Sequence, residues 1–196
     1  MATVRAGNRP VLMIVDVQAG VMQNAWDAPR IVGNVALAVA RARDAGVPVV
    51  WVQHTDADLP EGSAAWQWAD ELAPSAGEVR LQKSYNSAFE RTVLEDELAA
   101  LGATHIVLAG AATNWCIRAT AYAALERGYD LTLVSDGHTT ETLDDGAGLR
   151  IEAATLVDDL NIAMAWVEYP DRISGTAPAA TVDFHRPGGI GGRNGA

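Results

Sequence analysis

Apolar residues in this chain fall into short unbroken runs that alternate with segments of helical spacing. Val11-Leu-Met-Ile-Val15 is continuous and closes on Asp16, the pattern of a strand buried on both faces. Ile31 to Ala45 carries apolar residues at helical spacing and stops at Gly46, a natural C-cap position. Val47-Pro-Val-Val-Trp-Val52 reads as a second strand, with its proline tolerated at the start. Glu78 to Gln82 is a candidate short strand leading to Lys83, and Ala88 to Leu101 a helix closed by Gly102. His105-Ile-Val-Leu-Ala109 is a strand ending at Gly110. Asn114 to Arg127 is a helix closed by Gly128, with Thr113 or Asn114 as its N-cap. Leu131-Thr-Leu-Val134, a helix over Gly148 to Leu160 and a last strand Ala165-Trp-Val-Glu168 complete the expected order.

Strands alternating with helices predict an α/β fold: one three-layer domain, Rossmann-like, with a six-stranded, mostly parallel sheet covered by helices on both faces. A length of 196 residues suits a single core. The expected domain covers residues 1–182, followed by a Gly/Pro-rich C-terminal tail over 183–196. His54 to Gly77 is a long segment without clear periodicity, holding Trp66 and Trp68, and segments of that kind are often functional. In sheets of this class ligands bind beyond the carboxyl ends of the strands.

Charge narrows the partners. A formal net charge of −11 argues against nucleic acid and against anionic membrane surfaces. It weakly favours neutral or cationic substrates, although acidic surfaces also serve solubility. No apolar run approaches the roughly 18 residues of a membrane span. The N-terminal segment shows no signal-peptide cleavage pattern, so the expected compartment is the cytoplasm. A single cysteine excludes an internal disulfide framework and a multi-cysteine zinc site.

Three chemically capable residues stand at expected strand ends. Asp16 follows the first strand, Lys83 the third, and Cys116 opens the helix after the strand His105 to Ala109. Taken singly, each has a plain explanation: a loop-bonding carboxylate, a solvated lysine, a buried small hydrophobe. Placed together on one sheet edge they form a nucleophile, a base and a cation. Cys116 lies in Gly110-Ala-Ala-Thr-Asn-Trp-Cys-Ile-Arg118, a strand-to-helix turn of small and capping residues. The N-terminal end of a helix there would stabilise a thiolate, a nearby lysine would lower its pKa, and backbone N–H groups would hold an oxyanion.

Val15-Asp-Val-Gln18, Lys83 followed by Ser87-Ala-Phe-Glu90, and Gly110-Ala-Ala-Thr-Asn-Trp-Cys116 together resemble the isochorismatase-like cysteine hydrolase superfamily, over about Pro10 to Val167. The resemblance is to its small-amide branch, which includes nicotinamidases, N-carbamoylsarcosine amidases and streptothricin hydrolases. It implies Cys116 as nucleophile, Asp16 as the base that takes its proton and Lys83 as the supporting cation. It further implies an oxyanion hole from the backbone N–H groups of Ala112 and Cys116, with a cis peptide at Ala111–Ala112. A cysteine at this position argues against isochorismate as substrate. His54-Thr-Asp56 stands where the nicotinamidase branch has a metal-binding Asp-x-His pattern, so no metal and no cofactor are expected.

The expected function is metal-independent hydrolysis of a C–N bond, in an amide, lactam or ureido group, through a thioester on Cys116. The alternatives are hydrolysis of another acyl bond, ester or carbamoyl, and a non-catalytic binding protein that keeps the fold. Candidate pocket residues are Trp26, His54, Trp66, Tyr85, Phe89, Trp115 and His138, while Gln18 is expected to support the first turn. The expected partners are a small-molecule amide and further copies of this chain, as a dimer or tetramer, with neither nucleic acid nor membrane.

Overall fold

The computed structural model describes residues 1–187. The elements follow in the order β1 (Pro10–Val15), α1 (Ala19–Met22), α2 (Ala28–Asp44), β2 (Val49–His54), β3 (Val79–Lys83), α3 (Leu94–Ala100) and β4 (His105–Ala111). A turn of π-helix (Thr113–Ile117) leads into α4 (Arg118–Glu126). Then come β5 (Asp130–Thr139), β6 (Leu143–Asp144), β7 (Arg150–Ile151), α5 (Ala153–Trp166) and β8 (Ser174–Ala177).

Six strands form one sheet in the order β3-β2-β1-β4-β5-β8, every neighbouring pair parallel. Its central strands have almost every residue buried, which is why their sequences read as continuous apolar runs rather than alternating ones. The chain moves outward from β1 in one direction to β3, then returns to the far side of β1 with β4. The crevice between the carboxyl ends of β1 and β4 is therefore the topological switch point.

Two apolar layers cover the sheet. One joins alternate residues such as Met13, Val15, Ile106 and Leu108 to Leu94 and Leu98 of α3, Ile117 and Ala121 near the start of α4, and Leu160 and Met164 of α5. The other joins Leu12, Ile14 and Val107 to Ile31, Val35 and Val39 of α2. On this second face the segment after β8 does the work of a further helix: Ala179, Val182 and Phe184 are buried against the same layer. The expected boundary after residue 182 is thus too early, because Phe184 belongs to the core. Residues 188–196 of the expected tail lie outside the described residues.

Three elements differ from the sequence reading. The expected strand Ala165 to Glu168 is instead the end of α5 and the turn that follows, and the sixth strand is β8. Ser174-Gly-Thr-Ala177 has too little apolar character to announce itself, and β8 pairs with β5 through backbone alone on one side. The expected helix over Gly148 to Leu160 starts at Ala153, since Asp144 to Ile151 is used by the small β6–β7 hairpin. The expected helix from Ala88 shrinks to α3, and the residues before it form a bent connection that brings Asn86 and Ala88 against the π turn and α4.

Candidate active site

β1 ends where Asp16 turns into left-handed backbone, with φ 55°. Aspartate enters that region more readily than bulkier residues. Its own N–H donates to Val52 O at 2.9 Å, so the bend stays anchored to β2. Next to it, Gly110 of β4 has φ 134°, and a Cβ at this position would lie 1.9 Å from Val15 O. Only glycine permits β4 to pass so close to the end of β1. The Ala111–Ala112 peptide is cis. Beyond it the π turn widens the chain, with Ile117 N–H donating to Ala112 O at 3.1 Å, and Cys116 lies inside that turn.

The two strands at the switch point thus supply Asp16 and, just beyond β4, Cys116. Lys83 comes from the edge strand β3, two strands from β1, a distance of about 10 Å at ordinary strand spacing. A long unbranched side chain crosses it. Lys83 Nζ lies 2.6 Å from Asp16 Oδ2 and 3.2 Å from Cys116 Sγ. All three residues are buried, with the Lys83 side chain fully so. Neither oxygen of Asp16 has a well-directed hydrogen bond, and Oδ2 is held by the ion pair with Lys83.

Burial dominates the electrostatics. It raises the Asp16 carboxyl above its ordinary range, against the opposing pull of Lys83. It also pushes the Cys116 thiol up to about 12, helped by the negative charge of Asp16 and opposed by Lys83. Burial and the carboxylate both favour the protonated sulfur at rest. This corrects the expectation of a thiolate made stable by a helix terminus: the low-dielectric surroundings and the neighbouring carboxylate outweigh it. A thiol next to an unsatisfied carboxylate is poised for proton transfer at the moment of attack.

His54 belongs to this cluster. Its Nδ1 lies 3.1 Å from Lys83 Nζ, and its Nε2 lies 2.9 Å from Asp56 Oδ2. Gln18 clamps the strand end beneath it, with Oε1 accepting from His54 N–H at 2.8 Å and Nε2 donating to His54 O and Trp66 O, both at 3.0 Å. Asp16, His54 and Cys116 present one ligand atom each within 4.8 Å of one another, chemistry suited to a metal ion. The Lys83 ammonium stands among them, however, within 3.2 Å of all three groups. The set does not fit a divalent cation while that charge is in place.

The other pocket candidates separate. Trp115, 54% exposed, walls a cavity of about 210 Å³ beside the cis peptide, with Val21, Ala25, Ala112, Thr140 and Glu141 among its other lining residues. Trp66 faces a different hollow, of about 350 Å³, near Trp68 and Arg80, and its indole N–H donates to Thr55 Oγ1. Trp26 is exposed under Arg30, and Tyr85 is exposed under Arg91. Phe89 is core, packed on Tyr129 with Arg127 over its ring. His138 is also interior, bonded to Thr113 Oγ1 at Nδ1 and to Asn161 Oδ1 at Nε2. Sequence reasoning did not single out Val21, Ala25 or Glu141. Only their nearness to Gln18 and to the end of β5 hints at them.

Known proteins share the fold and the family. The Isochorismatase domain model matches residues 10–155. Maleamate amidohydrolase of Pseudomonas putida is 34% identical over 153 residues, 66% of this chain and 72% of that protein. Streptothricin hydrolase of Streptomyces noursei is 32% identical over 158 residues, 76% of this chain but 62% of that protein, so this chain spans less than two thirds of that relative. A solved isochorismatase from Pseudomonas putida superposes with a TM-score of 0.79 at 26% identity, covering 88% of this chain and 89% of the other. An N-carbamoylsarcosine amidase from Thermoplasma acidophilum shares the fold, with a TM-score of 0.70 at 24% identity over 89% of this chain and 99% of the other.

Proposed function

The chain belongs to the isochorismatase family, and from that premise we propose that it hydrolyses a C–N bond of a small amide, lactam or ureido compound through a thioester on Cys116. The observation that carries this reading is the buried contact of one ammonium, Lys83 Nζ, with both a carboxylate and a thiol. Relatives named for amide and ureido hydrolysis, maleamate amidohydrolase and ureidoacrylate amidohydrolase, support the bond class.

In the proposed sequence Asp16 takes the thiol proton as Sγ adds to the substrate carbonyl carbon. The carbonyl oxygen becomes an oxyanion, directed to the N–H groups of Ala112 and Cys116. Collapse breaks the C–N bond, and the proton held by Asp16 passes to the departing nitrogen, which leaves as ammonia or an amine, or, from a lactam, stays on the acyl chain as a free amine. Water then adds to the thioester, with Asp16 again taking a proton, and its collapse releases the acid and the thiol. Lys83 keeps its charge throughout: it holds Asp16 and Cys116 in register and offsets the negative charge that moves between them. The cavity beside Ala112 is the proposed seat of the substrate body.

Turnover of a panel of primary amides and ureido compounds, followed by ammonia or amine release, and of lactams, followed by the mass of the ring-opened product, tests the reading. Wild-type protein quenched during turnover should carry an acyl mass adduct that Cys116→Ala lacks. Hydrolysis that survives Cys116→Ala would overturn it.

We further propose a compartment and an assembly state. Among the described residues no helix is long and apolar enough to cross a membrane, and the proposed site of action is the cytoplasm. A homo-oligomer fits the exposure of Ile162 and Trp166, each 61%, one turn apart on α5. Sedimentation of wild type against Ile162→Glu tests it, with a monomeric wild type as the refuting result.

A further inference from the structure

Lys83 Nζ carries three N–H bonds and meets three partners: Asp16 Oδ2 as an ion pair at 2.6 Å, His54 Nδ1 at 3.1 Å and Cys116 Sγ at 3.2 Å. Two of these belong to the proposed reaction. The third does not, and its geometry is built from a separate direction. β2 and β3 pair in parallel with His54 opposite Lys83. The middle strand therefore places an imidazole beside the path the lysine takes from the sheet edge to β1.

An imidazole nitrogen accepts from an ammonium only if it carries no proton of its own. His54 Nδ1 is therefore the bare nitrogen, and the ring proton resides on Nε2. Asp56 Oδ2, 2.9 Å from Nε2, is the acceptor for that proton. Asp56 is itself fixed: its Oδ1 accepts from the N–H groups of Asp58 at 2.9 Å and Leu59 at 2.8 Å. These backbone bonds, with burial opposing and His54 adding, hold the Asp56 carboxyl below its ordinary range, so it stays an acceptor. The chain of contacts runs from loop backbone to Asp56, to His54, to the Lys83 ammonium.

We propose that His54 and Asp56 are positioning residues, which fix the Lys83 ammonium between Asp16 and Cys116 by supplying the third of its close partners. The inference rests on the reading of Asp16, Lys83 and Cys116 as the reacting group. Without His54, one N–H of a fully buried ammonium loses its acceptor. The side chain then has reason to shift, and the register of base and nucleophile loosens.

Lys83 is the one lysine in the sequence. Protein grown with lysine labelled at Cε and Nζ gives a single side-chain NMR signal, apart from any substrate. In wild type its Nζ protons should exchange slowly with water. His54→Ala should move the signal and speed that exchange at least about tenfold, while kcat falls about 10- to 100-fold with KM little changed. His54→Asn, whose side-chain oxygen can replace Nδ1 as acceptor, should recover most of the protection and most of kcat. Asp56→Ala should fall between wild type and His54→Ala. A histidine that served stability alone would lower Tm without moving the Lys83 signal in folded protein. Unchanged Lys83 exchange and kcat in His54→Ala would overturn the proposal, as would failure of His54→Asn to recover either quantity. Hydrolysis persisting in Cys116→Ala would instead overturn the thioester reading, and the Lys83 signal would still decide the role of His54.

Discussion

Two buried polar clusters sit near the carboxyl ends of the same sheet, and they are built on opposite terms. Around β4 and β5, His138 is bonded at both ring nitrogens, to Thr113 and Asn161, and burial pushes its pKa down to about 4. It is neutral and satisfied. Around β1 and β4, Asp16 and Lys83 are charged, the carboxylate lacks a well-directed hydrogen bond, and the adjacent thiol is held at about 12. A buried polar group that spends all its bonding capacity inside the protein stabilises the fold and has nothing left for a ligand. A buried charge with unused capacity is costly to keep, and such groups cluster at functional sites. Histidine near a sheet edge was therefore not informative by residue type: His54 and His138 occupy similar places in the sequence pattern, yet one faces the lysine and the other the interior.

The sharpest way to break the comparison is to replace the polar groups of each cluster. Cys116→Ala, Asp16→Asn and Lys83→Met should each lower kcat/KM about 10⁴-fold or more, and the Asp16→Asn, Lys83→Met double variant little further, because groups that act as a unit do not add. His138→Gln, in the satisfied cluster, should cost stability while leaving kcat/KM within about tenfold. Steady-state kinetics beside thermal unfolding separates the two. A full loss of rate in His138→Gln with native stability would erase the distinction.

Acid should act on the two clusters with opposite sign. His105 is like His138: bonded to Thr132 and Phe184 O, and pushed down to about 4 by burial. Each has a lower pKa folded than unfolded, so its contribution is fully present above about 6.5 and is lost as pH falls toward 4. Each is worth on the order of 3 kcal/mol across that window. Asp16 is raised when folded, so its contribution is present below its unfolded value and is lost as pH rises through its folded one. Denaturant unfolding between pH 7 and 4 should show falling stability, less steeply in His105→Gln. The same Asp16 shift places the acid limb of kcat/KM above the ordinary carboxylate range near 3.9. Equal slopes in wild type and His105→Gln would mean that His105 is not buried neutral.

Much of this arrangement was legible in the sequence, for a physical reason. Central strands of a parallel sheet are buried on both faces, so β1, β2 and β4 appear as apolar runs whose ends can be located, and those ends carry Asp16 and the Gly110 to Cys116 turn. Lys83 was legible from its place after the short β3 segment and from the family resemblance, whereas its burial beside Leu81 shows only in the fold. What stayed hidden depends on pairing and reach. β8 is made of Ser, Gly, Thr and Ala and shows no pattern. The contact of His54 with Lys83 follows from the register of β2 on β3, which nothing in either segment announces. The upward push on the thiol stays hidden because burial is a property of the assembled core, whereas a helix terminus can be read locally.

A smaller effect tests how the charges in the reactive cluster are shared. Below its pKa a thiol is alkylated in proportion to its thiolate fraction, so the iodoacetamide rate at fixed pH reports the shift. Wild-type Cys116 should react slowly at pH 8, with a rate still rising well above the unperturbed value near 8.5. Lys83→Met removes the favourable cation and should slow labelling about tenfold. Asp16→Asn removes the unfavourable anion and should speed it about tenfold. Rates that move in the same direction in both variants would show that Cys116 does not feel the two charges separately.

The smallest expected effect is none at all. Asp16, His54 and Cys116 have the ligand atoms of a metal site, and a divalent ion within bonding distance of all three would need to stand where Lys83 Nζ now stands. Zinc bonds to these ligand types at about 2.0–2.3 Å, too short to share the space with an ammonium 2.6 Å from one of them. Two cations in one buried cleft would also repel strongly. Dialysis against EDTA should therefore leave turnover unchanged, and added zinc should inhibit, if it acts, by displacing Lys83. The variant that sharpens the test is Lys83→Met, which removes the competing charge and leaves three ligands around an apolar stem. It should gain zinc affinity, measurable by calorimetry, that the wild type lacks. Loss of wild-type turnover on chelation, restored by a divalent ion, would show that the ammonium gives way in the working enzyme. The reactive cluster would then be a metal centre for which Lys83 is the placeholder.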